Sequence, residues 1–160
     1  MSVIVVGSAP IKNQGELIDS YDTVIRLNYF FHSPNHKDRG SKVDIWSSQF
    51  PHVLKINETM CKYKIPTMWM FKVIGGNIAV PEIIKINEMV RGDPTTGFYA
   101  TMYAIKKFGS CDVIGFTFFE GDRIHFYDKK GGPPALGTHN PKQEKAIFQA
   151  HPNITIKENE

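Results

Sequence analysis

Short apolar runs recur along this chain and alternate with segments of helical periodicity. The first run, residues 2–7, stops at a Gly-Ser-Ala-Pro turn, and the second, residues 23–28, ends on the polar side chain of Asn28. Continuous apolar runs of about four to eight residues are typical of strands that are buried on both faces of a parallel sheet. Four later runs predict the remaining strands, at residues 42–46, 67–73, 112–116 and 154–156.

The segments between the strands predict helices and loops. The clearest helix is predicted over residues 98–108, because its apolar positions form one stripe and Gly109 follows its end. A last helix is predicted to begin at Pro141, with Asn140 as its N-cap and Gln143 as a capping-box partner. Shorter helices are predicted at residues 16–21 and 83–91, loops at residues 29–40 and 118–138, and a Gly-Gly-Pro-Pro hinge at residues 131–134.

This alternation predicts an α/β fold with a mainly parallel sheet flanked by helices. Hydrophobic residues make up 41% of the 160 positions, which is enough for one buried core and too few for two, so we expect a single domain over residues 1–160. Ligands of such sheets lie outside the carboxyl ends of the strands. Functional residues are therefore expected in the turns that follow the strands.

Charge and composition narrow the function classes. The 19 Lys and Arg residues and 16 Asp and Glu residues give a net charge of +3, far below the basic footprint of a nucleic-acid binder. No apolar run approaches the roughly 18 to 20 residues that span a bilayer, which predicts a soluble, unexported chain without a membrane span. Cys61 and Cys111 allow one disulfide at most, so a reducing compartment fits best.

Two turns at predicted strand ends could bind a ligand. Gly7 and Ser8 follow the first strand but lack the later glycines of a dinucleotide fingerprint, and the second strand ends in Asn28 where a ribose-binding acid would be expected. An ordinary dinucleotide site is therefore disfavoured. Gly and Asn are also common turn residues, but their place at two adjacent strand ends favours a binding role.

Thr95, Thr96 and Gly97 directly precede the strongest predicted helix. They offer hydroxyls and unpaired helix N–H groups to an anion, which is the chemistry of a phosphate cradle. The pattern is not a Walker A loop, because no Lys-Ser/Thr follows the glycine. Taken alone, a threonine that only caps the helix explains the same residues.

His125 and His139 bracket the glycine-proline loop, and His139 lies just before a predicted helix. Histidine suits proton transfer near neutral pH, although either residue alone fits an ordinary loop position. The nearest approach to an acidic metal motif is Glu120-Gly121-Asp122, which is also typical of a solvated turn.

Four segments together resemble the sialyltransferases of glycosyltransferase family 29, with weaker similarity to bacterial family 42. Residues 7–28, continuing to 42, are similar to the long sialyl motif, and residues 94–116 to the short one. His125-Phe126-Tyr127-Asp128 is similar to the third motif, and His139 with Glu144 to the very short His-x4-Glu motif. All four occur in the family's order, and together they cover about half of the chain.

The resemblance implies a Rossmann-like fold, a variant of the GT-A type, and transfer from CMP-sialic acid to a glycan with inversion and without a metal or other cofactor. It implies that His139 is the general base and that His125 donates to the departing phosphate. Thr95, Thr96 and Gly97 would assist there through backbone amides. Gly7, Ser8 and Asn28 would hold the nucleotide. Glu144 would also belong to the donor site and would orient the residues of that site. The acceptor is expected to be a galactose-terminated glycan.

The chain also departs from the family pattern. Ser8 stands where the long motif normally has Asn, and Val3 and Phe108 occupy the positions of the disulfide that joins the two main motifs in animal enzymes. The missing Golgi anchor predicts a cytoplasmic form of bacterial or viral type, and the shortened stretch between the motifs removes length that builds acceptor recognition. Three alternatives stay open: transfer of another CMP-linked acidic sugar such as Kdo, a non-catalytic CMP-binding domain, and a metal-dependent transferase that uses Glu120 and Asp122.

Overall fold

The structure is a computed structural model that describes residues 1–30, 35–48, 67–69, 85–121, 123–127 and 137–159. Its strands are β1 Val3–Val6, β2 Thr23–Leu27, β3 Ile45–Ser48, β4 Thr67–Trp69, β5 Cys111–Ile114 and β6 Ile154–Ile156. Its helices are α1 Gly15–Asp19, α2 His36–Arg39, α3 Thr96–Phe108 and α4 Pro141–Ala150. Within these ranges no helix is long and apolar enough to cross a membrane.

The six strands form one sheet in the order β4-β3-β2-β1-β5-β6, and every neighbouring pair is parallel. This confirms the predicted Rossmann-like α/β fold. The chain moves outwards from β1 to β4 on one side and then returns to place β5 on the other side of β1. The strand order therefore reverses between β1 and β5, which is the point where α/β sheets of this kind bind ligands.

Two apolar cores cover the two faces of the sheet. Val3 and Val5 of β1 pack in a core with Phe98 of α3 and Phe148 of α4. The alternate residues of β1, Ile4 and Val6, lie in a second core that includes Ile18 of α1. Because successive side chains of a strand point to opposite faces, a strand buried on both faces is apolar throughout, as the first run of the sequence is.

Two predictions in the first third of the chain were wrong in detail. Residues 29–40 were predicted as loop, but they contain α2, whose four residues are too few to show a periodicity; the Asn35 side chain caps it by accepting from the Asp38 amide. The third strand begins at Ile45 rather than residue 42 and extends through two buried serines. Asp44 instead joins β2 from outside the strand, where its carboxylate accepts from the Val24 amide at 2.8 Å.

The later elements follow the predictions with shifted ends. Helix α3 begins two residues early, at Thr96, because Thr95 caps it through a bond from the Phe98 amide to Oγ1 (3.1 Å). Strand β5 ends at Ile114 rather than residue 116, since Gly115 has a φ of 74°. Helix α4 begins at Pro141 with Asn140 as N-cap, as predicted.

Gln143 pairs with the N-cap Asn140 as predicted: its amide donates to Asn140 Oδ1 at 3.3 Å, and its Oε1 accepts from Asn140 Nδ2 at 3.2 Å. The backbone amide that donates to Oε1 is that of Arg91, at 2.9 Å, rather than that of Asn140, so Gln143 also ties α4 to the segment before α3. Of the predicted helix at 83–91, residues 85–87 are helical and turns follow. Residues 70–73 of the predicted fourth strand and the hinge at 131–134 lie outside the described residues.

The packing of α1 on the sheet gives a direct test with adjacent residues. Ile18 is fully buried and Leu17 is 42% exposed. We expect Ile18→Ala to lower the free energy of unfolding by about 2–5 kcal/mol, because it removes apolar contacts and leaves a cavity. The matched control Leu17→Ala should change it by less than about 0.5 kcal/mol. Urea denaturation measures both, and equal losses would contradict the orientation of α1.

Candidate functional site

A cavity of about 300 Å³ opens at the carboxyl edge of the sheet, where the strand order reverses. The turns after β1, β2 and β5 form its floor, and the start of α3 and the segments before and within α4 form its walls. The structure brings all nine sequence-predicted site residues to this one cavity: Gly7, Ser8, Asn28, Thr95, Thr96, Gly97, His125, His139 and Glu144.

Gly7 lies at a close backbone contact between the ends of β1 and β5. Its amide donates to the Ile114 carbonyl at 2.7 Å, and the Ala9 amide donates to the Gly115 carbonyl at 3.0 Å. A Cβ on Gly7 would lie 2.2 Å from the Gly115 oxygen. Only glycine fits this backbone-to-backbone contact, so Gly7 shapes the floor of the cavity through its lack of a side chain.

Asn28 has a backbone held by β3 and a side-chain oxygen that is buried at the cavity. Its amide donates to the Ser47 carbonyl (2.8 Å), and its carbonyl accepts from Trp46 Nε1 (2.7 Å). Its φ of 45° lies in the left-handed region, which Asn tolerates better than most residues. Oδ1 accepts no hydrogen bond from the residues that the structure describes. A buried oxygen in this state costs about 1–3 kcal/mol, which a ligand donor would offset.

A buried carboxylate joins the start of α3 to α4. Glu144 is 3% exposed, and its two oxygens accept from the amide and the hydroxyl of Thr95, each at 2.7 Å. Burial raises the pKa of Glu144, while the hydrogen bonds from Thr95 and the nearby His139 act in the opposite direction. Because Thr95 occupies both carboxylate oxygens, this geometry suits Glu144 to orienting the start of α3.

The first turn of α3 faces the cavity without bulky side chains. Thr96 and Gly97 lie in this turn, where the amides have no intrahelical acceptor. A Cβ on Gly97 would lie 2.5 Å from the ring of Phe116, so glycine permits the close packing of α3 on that ring. The positive end of the helix dipole also lies here, and an anion is the ligand that such a site favours.

The imidazole of His139 is held in one tautomer. Its Nδ1 lies 2.6 Å from the backbone carbonyl of Asp93. A carbonyl can only accept, so Nδ1 carries the hydrogen and Nε2 is the acceptor of the neutral ring. The ring of Phe119 lies beside it, with centroids 6.0 Å apart. His139 therefore offers one basic nitrogen in a fixed ring.

His125 reaches the cavity as part of an aromatic wall. Its ring stacks on Tyr127 with centroids 4.9 Å apart and an interplanar angle of 10°, and Tyr127 meets the ring of Tyr29 edge-on at 5.6 Å. Between them, the Phe126 amide donates to the Ser8 carbonyl at 2.7 Å. The segment that carries His125 is thus attached to the turn after β1.

Sequence reasoning missed several residues that line the cavity. Phe118 and Phe119 do so with positive φ values of 50° and 61°. No pattern in the sequence marks two successive aromatic residues for this conformation, which is rare outside glycine and asparagine. Tyr127 lies in the segment that is similar to the third sialyl motif, so this similarity could have identified it. The other lining residues are Ala9, Leu27, Tyr29, Gly115, Phe116, Thr117 and Ile124.

The metal-dependent alternative would use Glu120 and Asp122. Glu120 is exposed and pairs with Lys145 at 2.7 Å. Asp122 lies outside the described residues. Among the residues that the structure does describe, no group of three or more His, Cys, Asp and Glu could hold a metal ion.

Comparison with known proteins gives a likeness at the level of the fold. No family model matches the chain, and no curated protein matches it. A solved structure described as a mammalian sialyltransferase superposes with a TM-score of 0.67 over 99% of this chain and 69% of that one, at 15% sequence identity. The two chains share a fold.

The pKa of Glu144 predicts a pH dependence of stability. A carboxyl whose pKa is higher in the folded than in the unfolded chain binds more protons when folded, so its contribution to stability falls as pH rises between the two values. We expect the free energy of unfolding of the native chain to decrease relative to that of Glu144→Gln as pH rises from about 4.3. Urea denaturation of both chains across pH 4–7 measures this. A difference that is constant, or that grows in favour of the native chain, contradicts it.

Proposed function

We propose that this chain is a glycosyltransferase that moves sialic acid from CMP-sialic acid to a glycan hydroxyl with inversion and without a metal ion. The observation that carries the proposal is the convergence of residues from four separate sequence segments on one cavity at the switch point of the sheet. The shared fold with a sialyltransferase supports the same class of reaction.

The donor nucleotide would lie against the turns after β1 and β2. The buried Oδ1 of Asn28 suits an amino or hydroxyl group of the cytidine, because it is an acceptor that lacks a donor among the described residues. Through its close contact with Gly115, Gly7 shapes the floor beneath the nucleotide, and Ser8 would offer a short hydroxyl there. Ser8 replaces the longer Asn of the family, so we expect one contact with the donor to be shortened or absent.

The phosphate of the donor would lie at the start of α3. Amides of Thr96 and Gly97 and the positive end of the helix dipole favour negative charge, and His125 adds a ring nitrogen from the facing wall. As the bond between the anomeric carbon and the phosphate oxygen breaks, the oxygen gains negative charge. Donors fixed in advance at that position lower the barrier to the reaction and can do so without a cation.

His139 would act as the general base. The acceptor hydroxyl attacks the anomeric carbon from the face opposite CMP, its proton passes to Nε2 of His139, and CMP leaves with the electron pair of the broken bond. The Asp93 carbonyl bonded to Nδ1 keeps Nε2 in the accepting form and stabilises the imidazolium that results. Attack from the opposite face inverts the anomeric configuration, and a galactose-terminated glycan is the expected acceptor.

Substitution of His139 tests the assignment of the base. We expect His139→Ala to lower kcat by about 10²-fold or more while CMP still binds, because the residue acts on the acceptor proton. The matched control is His36→Ala, since His36 is exposed on α2 and also lies near a backbone carbonyl, but away from the cavity. Release of CMP from CMP-sialic acid with a galactose-terminated acceptor measures the rate. Equal rates in the native and His139→Ala chains would remove His139 from the mechanism.

Two further measurements separate the alternatives. We expect transfer to continue in EDTA and in Glu120→Gln, because helix amides and His125 supply the charge stabilisation. Loss of activity in both would indicate the metal-dependent mechanism.

Calorimetry with CMP and transfer assays with CMP-sialic acid and CMP-Kdo separate the other two alternatives. Faster transfer from CMP-Kdo would indicate that the donor sugar is Kdo. Tight CMP binding without any transfer would indicate a non-catalytic domain.

A further inference from the structure

The turn after β1 is held by a buried side chain that the proposed reaction does not use. Arg39, the last residue of α2, is 4% exposed. Its Nη2 donates to the Gly7 carbonyl at 2.5 Å, and its Nη1 donates to the Ala9 carbonyl at 2.6 Å. A planar guanidinium can make both bonds from one fixed fork, which an ammonium group cannot. Arg39 thereby fixes two carbonyls of the cavity floor at once.

The face of the same guanidinium is covered by Phe126. The ring centroid lies 4.1 Å from Cζ of Arg39, within the range of a cation–π interaction. The Phe126 amide donates to the Ser8 carbonyl, and its own carbonyl accepts from Nη2 of Arg123 at 2.5 Å. All three carbonyls of residues 7–9 are therefore bonded either to Arg39 or to the residue that stacks on it.

Phe126 separates two residues of the cavity wall. His125 and Tyr127 line the cavity with their rings stacked, whereas the ring of Phe126 lies on Arg39. Because neighbouring residues in the chain share their backbone, the place of Phe126 limits where the imidazole of His125 can lie, and stacking on Tyr127 orients the ring. A shift of Phe126 would move His125 away from the turn that holds the donor.

Arg39 is itself fixed by a second buried arginine. Nη1 of Arg26 donates to the Arg39 carbonyl at 2.6 Å, and its Nε donates to the Lys42 carbonyl at 2.9 Å. Oδ1 of Asp19 lies 3.6 Å from Nη2 of Arg26, and the carboxylate offsets part of the charge of this arginine. Burial, and next the charge of Arg26, lower the pKa of Arg39 to about 9, so the guanidinium stays charged at neutral pH.

We propose that Arg39 is a positioning residue that holds His125 against the turn at residues 7–9, so that the nucleotide floor and the phosphate-contacting imidazole move as one unit. The effect of Arg39 on donor binding rests on the proposed function, whereas its contacts with Phe126 and with the turn at residues 7–9 do not. Arg39→Lys keeps the charge and loses the fork and the planar stacking. We expect it to move the ring resonances of His125, to speed hydrogen exchange of the Phe126 amide, and to weaken CMP binding by about tenfold.

The experiment uses NMR and calorimetry on the same samples, with Lys37→Met as the control because Lys37 is exposed on the same helix. Unchanged His125 resonances and Phe126 exchange in Arg39→Lys overturn the proposal. Faster exchange of the Phe126 amide together with unchanged His125 resonances also overturns the proposal, because Arg39 would then only stabilise the fold. If the native chain binds no CMP, the proposed function fails, while the His125 resonances still decide the role of Arg39.

A second variant covers the case in which Arg39→Lys does not fold. Phe126→Leu keeps the backbone bond to Ser8 and both hydrogen bonds of Arg39, and it removes only the aromatic face. The proposal expects the same displacement of the His125 resonances in this variant. Resonances that match those of the native chain would overturn it.

Discussion

The reversal of strand order at β1 is the constraint on which the rest of the structure depends. Because β2 and β5 lie on opposite sides of β1, the chain must cross the sheet once, and α3 is the helix that makes this crossing to β5. Parallel strands also require every helix to begin near the carboxyl edge of the sheet. The crossing therefore brings the first turn of α3 to the edge where the turns after β1, β2 and β5 meet. The cavity follows from topology before any polar side chain is considered.

The contact between Glu144 and Thr95 turns this topology into a site of defined geometry. Removing a carboxylate from water is costly, and it is tolerated here because two donors from one residue satisfy both oxygens. Those donors lie at the cap of α3, while the carboxylate belongs to α4, whose preceding residues include His139. One buried contact thereby links the first turn of α3 to the segment that carries the imidazole of His139. Burial raises the pKa of Glu144, and the two hydrogen bonds of this link oppose that rise by stabilising the ionised carboxylate.

The sequence predicts the strands and the main helices because these elements are long enough to show their periodicity or are apolar throughout. It fails at α2, which is four residues long, and at the start of β3, where Asp44 binds the neighbouring strand from outside it. It predicts part of the cavity from position, because Gly7, Ser8 and Asn28 follow strands and Thr95 and His139 precede helices. Glu144, inside α4, is predicted only through the resemblance to the very short sialyl motif. It does not predict Arg39 or the conformation of Phe118 and Phe119, since those depend on contacts between segments far apart in the chain.

The polar groups at the cavity divide into two sets with different tasks. The carbonyls of residues 7–9, the oxygens of Glu144 and Nδ1 of His139 are all bonded within the protein, and these bonds fix the shape of the cavity. Oδ1 of Asn28 has no donor among the described residues. A fully satisfied network resists rearrangement, because moving any member would leave a buried group unpaired. An acceptor that such a network holds in place can select a ligand by its donors, since the protein cannot relax to satisfy the acceptor itself.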